Sequence, residues 1–195
     1  MSKYRTALFL ACLTLLTACG SAPVEPLRYY TLDDTSPIPS EPENPARIIV
    51  FKTLSLAEYL QQSYLAFQTN SHQLHYASQH IWAENLQTTI EKSLLKELNR
   101  NNSDILFIKE SDPRAKRANE YLSVDIEHFL ATNQKNVQLT ARYWVNFKKE
   151  RVSKAAVSNI ETPLQDSGYA ASVKEMRNLI TQFAQEIAQN INDWS

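Results

Sequence analysis

The sequence is poor in glycine: only Gly20 and Gly168 occur among its 195 residues. A phosphate-binding P-loop, a dinucleotide-binding fingerprint and the nucleophile elbow of hydrolases all need glycines at fixed spacing. None of these motifs can be built here, so the functions that depend on them are excluded.

Cysteine is equally scarce, and both residues, Cys12 and Cys19, lie near the start of the chain. The remainder has no thiol to pair, so its fold must be stable without disulfides. Hydrophobic residues make up 43% of the chain, which is enough for a substantial core. The formal net charge is only −1, which gives no electrostatic reason to expect nucleic-acid binding.

The N-terminal segment has the pattern of a secretion signal. Lys3 and Arg5 precede an almost unbroken apolar run over 6–16, which is too short to span a bilayer. The run ends in Leu16-Thr17-Ala18-Cys19, which resembles a bacterial lipobox. By that resemblance, cleavage falls between Ala18 and Cys19, and Cys19 carries the acyl chains. The alternative is a soluble secreted protein; Cys12 is a poorer anchor because it would cut the apolar run short.

Two or more acyl chains anchor a protein stably, whereas one binds only marginally. We therefore expect a membrane-anchored protein with a signal peptide over 1–18, a lipidated tether over 19–27 and a single domain over 28–195. The domain contains a proline-rich segment over 33–45, which predicts an extended, mobile loop.

Alternating or continuous apolar runs predict several β-strands. Two short buried runs, at 48–51 and 105–108, leave room for parallel pairing. Strands over 122–127, 137–147 and 152–160, separated by turns, predict a meander. The remaining predicted strands are the short one at 28–32 and a hairpin formed by 63–69 and 73–77.

Two stretches have helical periodicity. In the first, over 78–99, Trp82, Leu86 and Ile90 fall four residues apart, and Ser78 is a plausible N-cap. The second starts near Gly168 and runs to Trp194 with the clearest apolar stripe in the chain. The predicted fold class is α+β: a two-layer domain in which a mixed or antiparallel sheet with a meander packs against two long amphipathic helices.

The polar residues do not form a recognisable catalytic or metal site. His72 and His75 point to opposite faces of a strand and His80 begins the first predicted helix, so they do not converge as metal ligands should. His128 lies on a wet strand face, and the spacing of Ser, Asp and His residues assembles no triad. We expect no metal, no cofactor and no catalysis.

The three tryptophans have different expected environments. Trp82 and Trp194 lie on apolar helix stripes and are expected in the core. Trp144 falls on the polar side of its strand, and an exposed tryptophan is a common interface anchor. Trp144 is therefore a candidate partner contact, the alternative being that this second sheet face is covered as well.

An ordered set of short motifs resembles the ABC-type transport auxiliary lipoproteins, the PqiC/YmbA-like proteins. The lipobox is followed by a Tyr-Tyr-Thr-Leu segment, the proline-rich gap, a Tyr-Leu step and an Ile-Trp-Ala-Glu-Asn-Leu segment. The motif residues are Tyr29, Tyr30, Tyr59, Leu60, Trp82, Glu84 and Leu86. The chain departs from the family at Ile81, where Arg is usual.

The resemblance implies an outer-membrane lipoprotein facing the periplasm, and Gly20 after the anchor is similar to lipoproteins sent there. It implies work with an MCE-domain (PqiB-like) protein that moves lipids between membranes, in a non-catalytic adaptor role, and leaves a homo-oligomer open. The alternative is a periplasmic lipid carrier. A carrier should contain a sizeable apolar pocket, whereas an adaptor should have a packed core and an exposed apolar or aromatic patch.

Overall fold

The structure is a computed structural model that describes residues 25–33, 36–100, 102–149 and 151–194. Within these ranges the chain forms eight strands and two long helices. The helices are α1 (Leu86–Arg100) and α2 (Tyr169–Asp193). The strands are β1 (Arg28–Tyr30), β2 (Arg47–Leu56), β3 (Tyr64–Asn70), β4 (Gln73–Trp82), β5 (Ile105–Lys109), β6 (Glu120–Thr132), β7 (Asn136–Phe147) and β8 (Val152–Pro163).

All eight strands form one mixed sheet organised around β6. On one side, β6 pairs antiparallel with β7, and β7 with β8, which is the predicted meander. The other side of β6 is divided lengthwise between two parallel partners. β2 pairs with its first half and extends to β5, whereas β3 pairs near its end and extends through β4 to β1. The α+β class predicted from the sequence is confirmed.

One face of the sheet packs against both helices to form the main core. Strand alternation places Leu122, Val124 and Ile126 of β6 on this face, beside Leu139, Ala141 and Tyr143 of β7. The apolar stripe of α2 covers them, and Phe183 and Ile187 are fully buried. Since side chains in a strand alternate between faces, the odd-numbered residues of β7 from Val137 to Val145 are buried while Trp144 faces away from the helices.

A second, smaller core lies on the opposite face, which we call the outer face. Val50 of β2 with Leu106 and Ile108 of β5 is covered by Ala115 and Ala118, in and just after a 3₁₀ helix (Pro113–Arg117). Both faces of β5 and of the first half of β2 are thus covered. This explains why these strands are continuous apolar runs instead of alternating ones.

A charged cluster joins the two helices at their interface. Glu97 of α1 is buried and accepts hydrogen bonds from Arg177 of α2 at 2.5 Å and from Arg100 at 2.6 Å. Two guanidinium groups therefore compensate one buried carboxylate, which fixes the helices relative to each other.

The predicted start of the first helix was wrong. Residues 78–82 belong to β4, because Tyr30 of β1 pairs with Trp82 and Tyr64 of β3 pairs with Ile81. Ser78 therefore caps no helix. Asn85 is the cap: its Oδ1 accepts a hydrogen bond from the Thr88 amide at 3.2 Å.

The proline-rich segment has no helix or strand in its described part, as predicted. Side-chain contacts nevertheless hold it to the domain, among them a hydrogen bond from Arg100 to the Ser36 hydroxyl at 3.0 Å. The Glu41 carboxylate forms a bidentate ion pair with Arg114, and Asp33 pairs with Lys96 of α1. Arg114 thus ties the segment to the 3₁₀ helix.

Candidate interaction surface

Trp144 lies on the outer face, where it is half-buried and its neighbour Ser123 is buried. In the sheet register its neighbours are Ser123 of β6 and Ala155 of β8, and Ser123 is followed by Thr53 of β2. These three residues are small, so the half-buried indole is the largest side chain of its row. We call Trp144, Ser123, Thr53 and Ala155 the Trp144 surface.

A concavity of about 400 Å³ borders this surface and is lined by Lys52, Glu110, Tyr121, Asn146 and Lys148. Tyr121 pairs with Asn146 in the row next to Trp144, which makes the concavity and the indole contiguous. Lys52 lies over the Tyr121 ring, 5.9 Å from its centroid. The arrangement offers an aromatic anchor beside a predominantly basic hollow, which suits a protein partner.

The motif residues Tyr59 and Leu60 lie between the end of β2 and the start of β3, where the pairing partner of β6 changes from one strand to the other. They lie in a 3₁₀ helix (Glu58–Leu60). The Tyr59 hydroxyl donates to the Glu127 carbonyl oxygen at 2.9 Å and lies 2.7 Å from His128 Nδ1, while Leu60 is buried in the main core. Burial raises the pKa of Tyr59 to about 12. These contacts indicate a structural role at the division of the sheet.

The Tyr29-Tyr30 motif forms β1. Tyr30 packs against the main core, its carbonyl oxygen accepts the Ala83 amide at 2.7 Å, and its hydroxyl lies 2.8 Å from His80 Nδ1. Tyr29, its immediate neighbour, points to the other face and is exposed. One motif residue therefore fixes the edge strand, and the other is available for contacts.

The later motif residues lie where β4 passes into α1. Trp82 and Leu86 are buried in the main core, and Glu84 is exposed and forms an ion pair with Lys92 at 2.6 Å. Trp82 is a core residue, as predicted, although it reaches the core from a strand. Trp194 also packs against the core, at the end of α2. Ala18 and Cys19 lie outside the described residues.

The histidines are dispersed. His72 and His75 are exposed on the hairpin formed by β3 and β4, and His128 bonds to Tyr59. The His80 ring packs against Tyr169 at the start of α2, with ring centroids 3.8 Å apart. Burial, reinforced by nearby Arg28, lowers the pKa of His80. Among the described residues, no group of three or more His, Cys, Asp or Glu side chains is arranged to hold a metal ion.

The space between the sheet and the helices is filled by side chains. The cavity there, lined by Leu60, Trp82, Phe129, Met176 and neighbouring residues, has a volume of about 10 Å³. This is roughly the space for one water probe, whereas pockets for drug-sized ligands measure about 300–1,000 Å³. The larger hollows lie elsewhere, including one of about 370 Å³ near Gly168 at the start of α2. Within the part of the chain that the structure describes, this cavity is far too small for a lipid.

Sequence reasoning placed Trp144 on the sheet face away from the helices but did not reveal its surroundings. The alternation of β7 is sufficient to place Trp144 opposite the helices. The hollow beside it depends on Lys52 and Glu110, which come from distant segments, so no local pattern reveals it. The contact of His80 with Tyr30 and Tyr169 was missed because residues 78–82 were interpreted as helix.

The structure defines an α+β domain whose sheet carries both helices on one face and the smaller second core on part of the other. The chain belongs to the ABC-type transport auxiliary lipoprotein component family, whose model matches residues 30–188. It is therefore a transport auxiliary lipoprotein. The family consists of auxiliary transport components and is not a known enzyme family. Neither helix of the described residues is long and apolar enough to cross a membrane.

Two crystal structures show the same fold. An uncharacterised protein superposes with a TM-score of 0.74 at 20% sequence identity, covering 86% of this chain and 99% of its own. A Xanthomonas campestris protein of the family DUF330 gives 0.65 at 14% identity, covering 86% of this chain and 100% of its own. At such identities the similarity shows the fold alone. No curated protein matches this chain significantly.

Proposed function

We propose that this protein is an outer-membrane lipoprotein that faces the periplasm and serves an MCE-type transport system as a non-catalytic adaptor. It docks a PqiB-like protein that moves lipids between the two membranes, and so supports envelope integrity. Family membership supports the transport role. The lipobox resemblance at Leu16–Cys19, followed by Gly20, supports the anchor and the outer-membrane location.

The observation that carries the adaptor role is the Trp144 surface. A large aromatic side chain stands among small neighbours on the outer face, beside a hollow that contains Lys52 and Lys148. Buried aromatic anchors supply much of the binding energy of protein interfaces. The basic hollow favours an acidic segment of the partner.

The tether supports the same role. Residues 20–27 can extend by at most about 3.3–3.6 Å each. If Cys19 carries the lipid, the domain stays within a few tens of ångströms of the bilayer, and a partner that crosses the periplasm must come to it.

A co-purification experiment from detergent-solubilised envelopes tests the proposal. Trp144→Ala should leave the fold intact, lower the recovery of the MCE-domain protein and raise sensitivity to membrane-perturbing compounds. Ile38→Ala is the control, because Ile38 is an exposed apolar side chain that lies on the proline-rich loop, away from this surface. Equal recovery with the wild type and Trp144→Ala would remove Trp144 from the interface.

The carrier alternative predicts a different result. A carrier should retain a stoichiometric phospholipid in native mass spectrometry without any stable protein partner. The packed core argues against it. Recovery of such a lipid complex, with no MCE-domain protein in the eluate, would overturn the adaptor role.

A further inference from the structure

The hairpin formed by β3 and β4 is free of formal charge. From Gln61 to Ala83 the sequence contains no Asp, Glu, Lys or Arg, although these residues make up 21% of the chain. Most exposed positions in the hairpin are Gln, Ser, Asn, His or Tyr. Because charged groups are costly to remove from water, a surface without them is suited to contact a less polar environment.

An exposed aromatic row crosses this part of the outer face. Tyr29 of β1 and Tyr64 of β3 both pair with Ile81 of β4, so the three side chains share one face of three adjacent strands. Tyr29 is 64% exposed and Tyr64 43% exposed. Tyr76 extends the same face: it pairs with Ala66, whose neighbour Phe67 packs against the main core on the other face, and its hydroxyl donates to the Tyr59 carbonyl oxygen at 3.1 Å. We call Tyr29, Ile81, Tyr64 and Tyr76 the tyrosine row.

We propose that the tyrosine row rests on the phospholipid surface of the membrane that holds the anchor, and so sets the orientation of the domain. Tyrosine rings prefer the boundary between headgroups and acyl chains, where the ring is in apolar surroundings and the hydroxyl remains wet. The uncharged rim formed by Gln61, Gln62 and Ser63 can approach headgroups without desolvating a charge.

The position of the row in the chain identifies the membrane as its occupant. Leu27, half-exposed, directly precedes β1, and Cys19 lies only eight residues before Leu27. Eight residues reach at most about 30 Å even when fully extended. β1 is therefore the part of the sheet held nearest the bilayer. This inference rests on the proposed lipidation of Cys19.

Membrane contact by the tyrosine row leaves the Trp144 surface free. Adjacent strands of a sheet are rotated by roughly 20–25°. Four steps, through β4, β3 and β6, separate β1 from β7, and the twist accumulates over each step, so the two surfaces face different directions. The domain can thus lie on the lipid with one surface and present the other to a protein.

Single-cysteine labelling of the lipidated full-length protein tests the orientation. Cys12 and Cys19 are the only cysteines in the sequence; in the mature lipoprotein Cys12 has left with the signal peptide and Cys19 is acylated, so an introduced cysteine reacts alone. Tyr64→Cys carries an environment-sensitive fluorophore; Ile38→Cys and Val157→Cys, exposed apolar sites on the proline-rich loop and on β8, are controls. Each variant is reconstituted into vesicles of phosphatidylethanolamine and phosphatidylglycerol with spin-labelled lipid.

We expect a blue shift at position 64 and loss of roughly half of its emission to lipid quenching, with neither effect at 38 or 157. A further variant with Tyr29→Glu and Tyr64→Glu, labelled through Tyr76→Cys, should remain vesicle-bound but lose the quenching. Circular dichroism confirms the fold of each variant.

Three outcomes would overturn the proposal. The label at 64 could stay unquenched on floating vesicles, all three positions could be quenched equally, or the label could be shielded only when a partner protein is added. If the protein fails to float with the vesicles, the anchor at Cys19 is wrong. Because an unquenched label on floating protein leaves the adaptor role standing, the two proposals fail separately.

Discussion

Tyr143 shows how a single buried hydroxyl links stability to pH. It is fully buried in the main core, accepts a hydrogen bond from Asn190 of α2 and donates to Glu186 at 3.4 Å. Burial raises the pKa of Tyr143 to about 12, against about 10 for an unfolded tyrosine.

The protein should therefore lose stability in alkali. Below pH 10 the tyrosine is protonated in both states and its contribution is fully present; between about 10 and 12 the unfolded state releases the proton first, so stability falls. Urea unfolding from pH 8 to 12 measures the decline. Tyr143→Phe should cost about 1 kcal/mol at pH 8 and make the decline shallower. An equally steep decline in Tyr143→Phe would assign it to other groups, of which Tyr59 is the first to test.

Glu97 makes a second prediction at the residue scale. Glu97→Ala removes a buried carboxylate from between Arg177 and Arg100. Removing one member of a buried ion pair typically costs about 3–5 kcal/mol, because the other charge stays buried. We expect a loss of this size in urea unfolding.

The matched control for Glu97 removes both charges. Glu97→Met combined with Arg177→Met should recover much of the loss, since two apolar side chains can replace a buried pair. If Glu97→Ala lowers the free energy of unfolding by less than about 1 kcal/mol, this cluster contributes no more than a solvent-screened surface ion pair does.

At the scale of elements, the N-terminus of α1 depends on Asn85. The Asn85 side chain accepts the Thr88 amide, one of the donors that a helix start leaves without a helical partner. Asn85→Ala should cost about 1 kcal/mol, while Asn85→Asp should keep most of the stability. Ser78→Ala serves as the control and should change the melting temperature little, because Ser78 is exposed on β4.

The burial of the apolar face of helix α2 can also be tested. Ile187 is fully buried between the helix and the sheet. Ile187→Ala should cost roughly 2–5 kcal/mol, and Ile187→Asp should prevent folding, because an unpaired charge would be buried. Thermal unfolding of both variants measures this. Gln185→Asp, at an exposed position of the same helix, should fold normally; an unchanged melting temperature for Ile187→Asp would show that the stripe is exposed.

At the scale of the whole molecule, the expected anchor decides where the domain acts. Cys19→Ala should release the protein from the membrane fraction and abolish acylation, because the lipid is the attachment that the lipobox predicts. Cell fractionation and intact-protein mass spectrometry measure both effects. Cys12→Ala should remain acylated. If the Cys19→Ala protein stays in the membrane fraction without acyl groups, another part of the protein attaches it to the membrane.

Much of the fold follows from local pattern. The meander, the two buried strands and the stripe of α2 were predictable because their periodicities of 2 and 3.6 are properties of neighbouring residues. The outer position of Trp144 follows from the same alternation. The error at 78–82 arose because Trp82, Leu86 and Ile90 repeat every four residues, while the pairing that makes Trp82 a strand residue comes from Tyr30, far away in the sequence.

The sequence by itself determined the fold class, the lipobox pattern, the lack of disulfide partners outside the first 19 residues and the charge-free run from Gln61 to Ala83. Only the tertiary structure decided which residues lie next to these features in space. It aligned Tyr29 with Ile81 and Tyr64, placed the basic hollow beside Trp144, and filled the space under the helices. Strand pairing and packing join residues that are distant in the chain, and their energy depends on contacts that no local periodicity encodes.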